Sequence, residues 1–163
     1  MPNGKVIFHI DSNFLLNYLI PDNPDLNQAV KSKLERNNWS NDVYRINKLA
    51  LGECFKRVIT YEYDSRITFD KVVLNITKIK KIISDGHLEI VDAPSLNNGF
   101  NTHYGKIEEL DTHIQDADKL IIAMFCADQD AIILYSFDKM IINSEKIIKY
   151  VKEIGKKIKE VTW

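Results

Sequence analysis

The sequence has little cysteine and no strong excess of either charge. Only two of its 163 residues are cysteines, Cys54 and Cys126, and both lie in apolar stretches. This favours buried free thiols in a reducing compartment over a disulfide framework. Lysine and arginine together number 22 against 23 acidic residues, giving a formal net charge of −1. A general basic field for nucleic acid is therefore excluded, and any such binding must come from local patches.

Long apolar runs, repeats and low-complexity tracts are also absent. No stretch approaches the roughly 20 apolar residues of a membrane span. The apolar run near the N-terminus is broken by Asp11, unlike a signal peptide. We therefore expect a cytoplasmic protein without membrane contact. A length of 163 residues with 45% hydrophobic content predicts one folded domain over residues 1–163.

Strand and helix patterns alternate along the chain. The runs VIFHI, within residues 5–10, and AIILYSF, at 131–137, are typical of strands that are buried on both faces. Shorter strands are predicted within 42–51 and 87–93. Helices are predicted at 14–19, 25–36, 68–84, 116–127 and 144–157, and a loop at 94–105. This order predicts an α/β fold with a central, mostly parallel sheet sandwiched by helices.

Local signals add detail to three of these helices. Ser12 and Asn13 are predicted caps of the first helix. Glu53 is expected to begin a helix within LGECFKRV. The helix at 68–84 should bury a face made of Val72, Val73, Ile76, Ile79 and Ile83.

Both predicted buried strands end on an aspartate, Asp11 and Asp138. Ligands bind in open parallel sheets at the carboxyl ends of the strands, so these two carboxylates are expected to be neighbours. Two carboxylates about 4 Å apart repel by several kcal/mol at intermediate dielectric, unless one is protonated or a cation lies between them. A divalent metal ion would relieve that repulsion.

Three more acids are candidates for the same edge. Glu53, Asp116 and Asp118 each lie near a predicted helix N-terminus, where carboxylates are favoured. Hard oxygen ligands without clustered histidine or cysteine suit Mg²⁺ or Mn²⁺ better than zinc. Asp118 has the better spacing to the buried helix positions, whereas Asp116 would cap that helix or serve as an additional ligand.

The acids stand in motifs that resemble those of PIN-domain nucleases, in particular single PIN domains of the VapC type. DSNFLLNYL at 11–19 is similar to the opening motif, an aspartate followed by a small polar residue and Asn at the end of the first strand. LGECFKRV is similar to the second acidic motif. DADKLIIAMFCADQDAIILYSFD resembles the third and fourth, which close on Ser136, Phe137 and Asp138. The resemblance covers nearly the whole chain in order.

The resemblance implies an acidic pocket that holds Mg²⁺ or Mn²⁺ and hydrolyses phosphodiester bonds, usually of RNA. It also implies the toxin half of a toxin–antitoxin pair, with an antitoxin partner, and homodimerisation. The implied catalytic acids are Asp11, Glu53, Asp118 and Asp138. The same acids would bind the metal, with Asp116 as an additional ligand. Ser136 would support Asp138, and Asn13 would orient Asp11.

Other interpretations stay open at this point. Taken singly, each acid is explained as a helix cap, a solvated helix residue or a turn residue; only their joint order favours a site. A PIN-like domain without activity would act as a binding or assembly module. A phosphohydrolase acting on small phosphate esters is weaker, because DSN lacks the second aspartate of a DxD motif. Lys56, Arg57 and the C-terminal lysines are candidates for backbone phosphate contacts, although a solvated helix face explains most of them.

Overall fold

The computed structural model describes residues 4–20, 23–35, 42–63, 68–92 and 99–161. Within these ranges one sheet contains five strands: β1 (Ile7–Ile10), β2 (Val43–Asn47), β3 (Leu88–Val91), β4 (Ala131–Tyr135) and β5 (Lys157–Lys159). All neighbours pair in parallel, in the order β3-β2-β1-β4-β5. The predicted parallel sheet is confirmed.

The helices in the described part of the chain flank this sheet. They are α1 (Ser12–Leu19), α2 (Pro24–Leu34), α3 (Lys48–Tyr63), α4 (Phe69–Ser84), α5 (Phe100–Leu110), α6 (Asp116–Ala127), α7 (Lys139–Ile142) and α8 (Glu145–Glu153). The α/β class with helices on the sheet is therefore confirmed. Among the described helices, none is both long and apolar enough to traverse a bilayer.

Aromatic rings fix the central strand to its neighbours. Phe8 of β1 stacks between Tyr44 of β2 and Tyr135 of β4, with ring centroids 5.2 and 5.4 Å apart. Phe14 of α1 is fully buried and stacks on the same two tyrosines, both at 5.9 Å. Buried aromatic side chains contribute much of the packing energy of a core. Because β1 and α1 share these partners, the turn between them, which contains Asp11, is held in place.

Two helix starts differ from the sequence prediction. Asp11, not Ser12 or Asn13, is the cap of α1. Helix α3 begins directly after β2, because the side chain of Asn47 accepts a hydrogen bond from the Ala50 N–H at 2.7 Å. The prediction that Glu53 begins a helix was therefore wrong, and Glu53 lies in the second turn, away from the favourable N-terminal dipole.

The segment around residue 100 also differs. Residues 94–98 lie outside the described residues, but 100–105 belong to α5 instead of the predicted loop. Helix α5 buries Ile107, and its rings Phe100 and Tyr104 stack at 6.2 Å. Packing against α6 and α8 thus overrides the weak helix signal of its glycine and asparagine residues.

Two further expectations need correction. Helix α8 ends at Glu153, short of its predicted end at 157, and Gly155, with φ of +81°, turns the chain into β5, a strand that was not predicted. Helix α4 buries Val72, Asn75, Ile79 and Ile82, whereas Val73 is 47% exposed. Its buried face is therefore rotated from the predicted one.

Candidate active site at the carboxyl ends of the strands

Asp11 follows β1 and is almost completely buried, with 3% of its surface exposed. The N–H of Phe14 donates to its Oδ1 at 2.7 Å, and the hydroxyl of Ser136 donates to its Oδ2 at 2.5 Å. Burial raises the pKa of Asp11 to about 6, against the lowering effect of these hydrogen bonds, and the charge of Asp138 adds to the rise. The carboxyl group of Asp11 is therefore held in a fixed position, and burial disfavours its ionised form.

Ser136 joins the ends of β1 and β4. Its side chain is fully buried, and its oxygen donates to Asp11 and accepts from the backbone N–H of Asp138 at 3.0 Å. Asp138 in turn caps α7 by accepting from the N–H of Met140 at 2.7 Å. One hydroxyl thus sets the position of two acidic residues that are far apart in sequence.

The two acids at the start of α6 have different surroundings. Burial and, to a smaller extent, the charges of Asp138, Glu53 and Asp11 together raise the pKa of Asp118 to about 6, against a lowering effect of Arg57. Asp116 is 81% exposed in its side chain and pairs with Lys119 at 3.1 Å. Asp118 therefore interacts with the other acids, whereas the contact described for Asp116 is with a cation of its own helix.

Glu53 reaches the same region from α3. The hydroxyl of Ser12 donates to Glu53 Oε2 at 2.8 Å, and the Nε of Arg57 lies 3.6 Å from its Oε1. Both contacts orient Glu53 although it starts no helix. We call Asp11, Glu53, Asp118 and Asp138 the acid cluster.

Asn13 does not have its expected contact. Its side-chain oxygen accepts a hydrogen bond from Nη1 of Arg57, whereas Asp11 is oriented by Phe14 and Ser136. The prediction that Asn13 orients Asp11 was therefore wrong. Ser12 was missed as a partner of Glu53, because it was interpreted only as a cap; its place directly after a site acid was the available signal.

The carboxyl groups of the acid cluster influence one another's ionisation, but they are not closely spaced. In the described parts of the chain, no group of three or more His, Cys, Asp or Glu side chains is already spaced to hold a metal ion. The carboxylates nevertheless come from four separate segments, and Asp118 senses the other three. This arrangement concentrates negative charge at one edge of the sheet and leaves it largely uncompensated.

A second cluster of charged side chains includes residues of β1 and β2. Asp128, which follows α6 and is 3% exposed, accepts from Nε2 of the buried His9 at 2.8 Å. Nη1 of Arg45 donates to both of its oxygens, at 2.9 and 2.7 Å. The buried ammonium of Lys156 donates to the carbonyls of Asp128 and Ala131. We call His9, Arg45, Asp128 and Lys156 the ion cluster.

Its neighbours in the ion cluster stabilise the ionised form of Asp128. Burial would raise the pKa of Asp128, but the hydrogen bonds from His9 and Arg45 outweigh it and hold that pKa well below its usual range. Burial lowers the pKa of His9, against the effect of Asp128. An ionised carboxylate only accepts, so neutral His9 must donate through Nε2. This cluster was not predicted, because VIFHI was interpreted as a plain apolar strand.

Solved structures share this architecture. The chain aligns with a crystal structure of VapBC2 from Rickettsia felis bound to a DNA fragment from their promoter, with a TM-score of 0.60 and 16% identity, over 96% of this chain and 100% of that chain. It aligns with a 2.2 Å structure of VapBC-1 from nontypeable Haemophilus influenzae with a TM-score of 0.61 and 15% identity, over 97% and 100%. The chain has a VapC-like PIN fold.

The VapC-like PIN fold was predicted from the order of four acidic motifs, and the structural matches confirm it over nearly the whole chain. At 15 and 16% identity the likeness shows the fold alone. No protein-family model matches the sequence, and the comparison with curated proteins gives no match. The function must therefore be inferred from the acid cluster itself.

Proposed function

We propose that this protein is a Mg²⁺- or Mn²⁺-dependent endoribonuclease that hydrolyses RNA phosphodiester bonds at the acid cluster. One observation carries the proposal: the carboxyl of Asp118 interacts with the charges of Asp138, Glu53 and Asp11, which come from different segments of a VapC-like fold. Strongly perturbed carboxyl groups at the ligand-binding edge of a parallel sheet are typical of functional sites.

The donor chemistry of the acid cluster fits such an ion. All four side chains offer carboxylate oxygens, the ligands that Mg²⁺ and Mn²⁺ prefer. Burial raises the pKa values of Asp11 and Asp118, and neighbouring acids add to the rise, so a bound cation would favour the ionised form of both. Asp11, Glu53, Asp118 and Asp138 would hold the ion. When bound, a divalent ion supplies charge neutralisation of the scissile phosphate and lowers the pKa of a bound water.

The protein itself contributes orientation. Phe14 and Ser136 each hold one oxygen of Asp11, and Ser12 holds one oxygen of Glu53. With pKa values of about 6, Asp11 and Asp118 are mostly ionised at neutral pH and available as ligands. Fixing these groups in advance reduces the reorganisation needed when substrate binds. Asp116 stays a predicted additional ligand, but its pairing with Lys119 leads us to leave it outside the proposed set.

Cleavage of RNA by point variants tests the proposal. We expect Mn²⁺-dependent cleavage of single-stranded or structured RNA to fall at least about 100-fold in D11N, since the variant loses one negative ligand. D116N, two residues from Asp118 on the same helix, serves as the matched control and should retain most of the activity. Circular dichroism checks that both variants keep the fold. Equal cleavage by D11N and wild type would refute the assignment.

We also propose a protein partner and a cytoplasmic setting. The similar solved structures are of VapBC proteins, and one of them is bound to promoter DNA. By analogy this chain would be the toxin of a toxin–antitoxin pair and would form a homodimer. Toxicity on induced expression that is lost in D11N would support this role.

A second candidate is a PIN-like module that binds or assembles without catalysis. The spacing of the acid cluster favours it, because no described group of three acids is already placed as a metal site. Calorimetry separates the two candidates. A protein that takes up no Mn²⁺ at millimolar concentration supports the module, whereas uptake that is lost in D11N supports the nuclease.

A further inference from the structure

Arg57 is the cation next to the acid cluster. It lies one helical turn after Glu53 on α3, and its Nε is 3.6 Å from Glu53 Oε1. Its Nη1 donates to the side-chain oxygen of Asn13, at the start of α1. Its guanidinium is thereby held across two helices by contacts to both.

The positive charge of Arg57 lies beside Glu53, one of the four acids proposed to hold the ion. A positive group beside a carboxylate offsets its charge, as a bound metal ion would. Arg57 and a divalent ion therefore compete for the same oxygen, Oε1 of Glu53.

We propose that Arg57 is a built-in counter-ion of the acid cluster, which competes with a divalent cation for Glu53 and must move aside before the cation binds. The inference rests on the proposed function, since it concerns the same site. It implies that Arg57 lowers the apparent affinity of the site for its ion.

The surroundings of Arg57 allow this movement. Its side chain is 45% exposed, and ion pairs at such positions are weak, so release from Glu53 costs little. A cavity of about 270 Å³ adjoins it, lined by Glu53, Lys56, Arg57, Thr60 and Tyr61. The long flexible side chain can therefore leave Glu53 without repacking the buried core.

Titration of Mn²⁺ by calorimetry, without RNA, tests the proposal. R57Q should bind Mn²⁺ about two- to fivefold more tightly than wild type, the range expected from loss of an exposed ion pair. K56Q is the matched control: it removes the same charge from the adjacent residue, whose side chain has no ion pair within the described chain. Its affinity should equal that of wild type, because exposed charges are screened.

R57K provides a second comparison, since it keeps the charge but loses the planar fork that reaches Asn13 and Glu53 together. Its affinity should lie between those of wild type and R57Q. Equal affinity of R57Q and wild type, or an equal gain in K56Q, overturns the proposal while leaving the nuclease assignment intact. If neither wild type nor R57Q binds Mn²⁺, both proposals fail; binding by R57Q alone supports the counter-ion most strongly.

Discussion

Asp11 and Asp128 are equally buried, with 3% exposure each, yet their pKa values shift in opposite directions. Burial raises the pKa of Asp11 to about 6, and the negative charge of Asp138 adds to the rise. Asp128 is held well below its usual range, because hydrogen bonds from His9 and Arg45 outweigh burial. Burial alone therefore does not set the ionisation of a carboxyl; the charges of its neighbours decide the sign.

The difference separates a structural from a functional arrangement of charge. In the ion cluster every ionisable side chain has a hydrogen-bond partner in the same chain, so the cluster needs no ligand to satisfy it. In the acid cluster the negative charges are only partly offset by Arg57. Functional sites often retain such unfavourable electrostatics, at the expense of stability, until a ligand binds.

The largest effect is expected from a substitution that breaks the ion cluster. D128N leaves Arg45 and His9 without their ionised partner, and breaking a buried pair costs about 3–5 kcal/mol in the free energy of unfolding. D130N is the control: Asp130 is 70% exposed and 3.7 Å from the same arginine, so its loss should cost less than about 1 kcal/mol. Urea unfolding measures both. Similar small losses in the two variants would mean that the ion cluster adds no stability.

A smaller effect of opposite sign is expected in the acid cluster. Without divalent metal at pH 7.5, D118N should raise the free energy of unfolding by about 1 kcal/mol, because it removes a charge that burial and its neighbours disfavour; the partial exposure of Asp118 limits the gain. D116N should lower it, since Lys119, whose side chain is only 7% exposed, loses its partner. Urea unfolding in EDTA gives both values. A loss of stability in D118N would contradict the repulsion that defines the cluster.

The pH dependence of that gain is the smallest effect. The pKa of Asp118 in the folded protein is about 6, above the 3.8 of an unperturbed aspartate. The stability that its protonation provides is present below 3.8 and is lost as pH rises through 6. The free energy of unfolding that D118N gains over wild type should therefore decrease by roughly half from pH 7.5 to 5 and vanish below about pH 4.

The ion cluster should show the reverse dependence. Because the folded pKa of Asp128 is lowered, its contribution is present above the unfolded value and is lost only as pH falls through the folded one. The loss in the free energy of unfolding caused by D128N should thus persist at pH 5, where the gain caused by D118N has already decreased. Parallel changes in the two variants would remove the electrostatic distinction between the clusters.

Much of the fold followed from local sequence patterns. Continuous apolar runs located β1 and β4, and the residues that follow them, Asp11 and Asp138, were predicted as neighbours because both strands are parallel. Ser136 now connects the two through its hydroxyl. These predictions succeeded because burial and strand direction are encoded within a few residues.

Other features depend on contacts that no local pattern encodes. The bond between Ser12 and Glu53 and the bond between Arg57 and Asn13 span 41 and 44 residues and require α1 to dock on α3. His9 was not recognised as polar core because its partner, Asp128, lies 119 residues away. Strand β5 has only three residues, two of them lysines, so it was not predicted and the last helix was extended to residue 157. Tertiary packing decided each of these cases.

The strand order has a consequence for the synthesis of this protein. Strand β1 is made before the other four strands but lies in the middle of the sheet, and one of its two neighbours, β4, is the fourth strand along the chain. Ser136 and Asp11, which hydrogen-bond to each other, are 125 residues apart. Such distant pairing forms late in folding. A nascent chain that stops before Ser136 therefore lacks the hydrogen bond that fixes Asp11, and the acid cluster assembles only after the segment from Ser136 to Asp138 has been made.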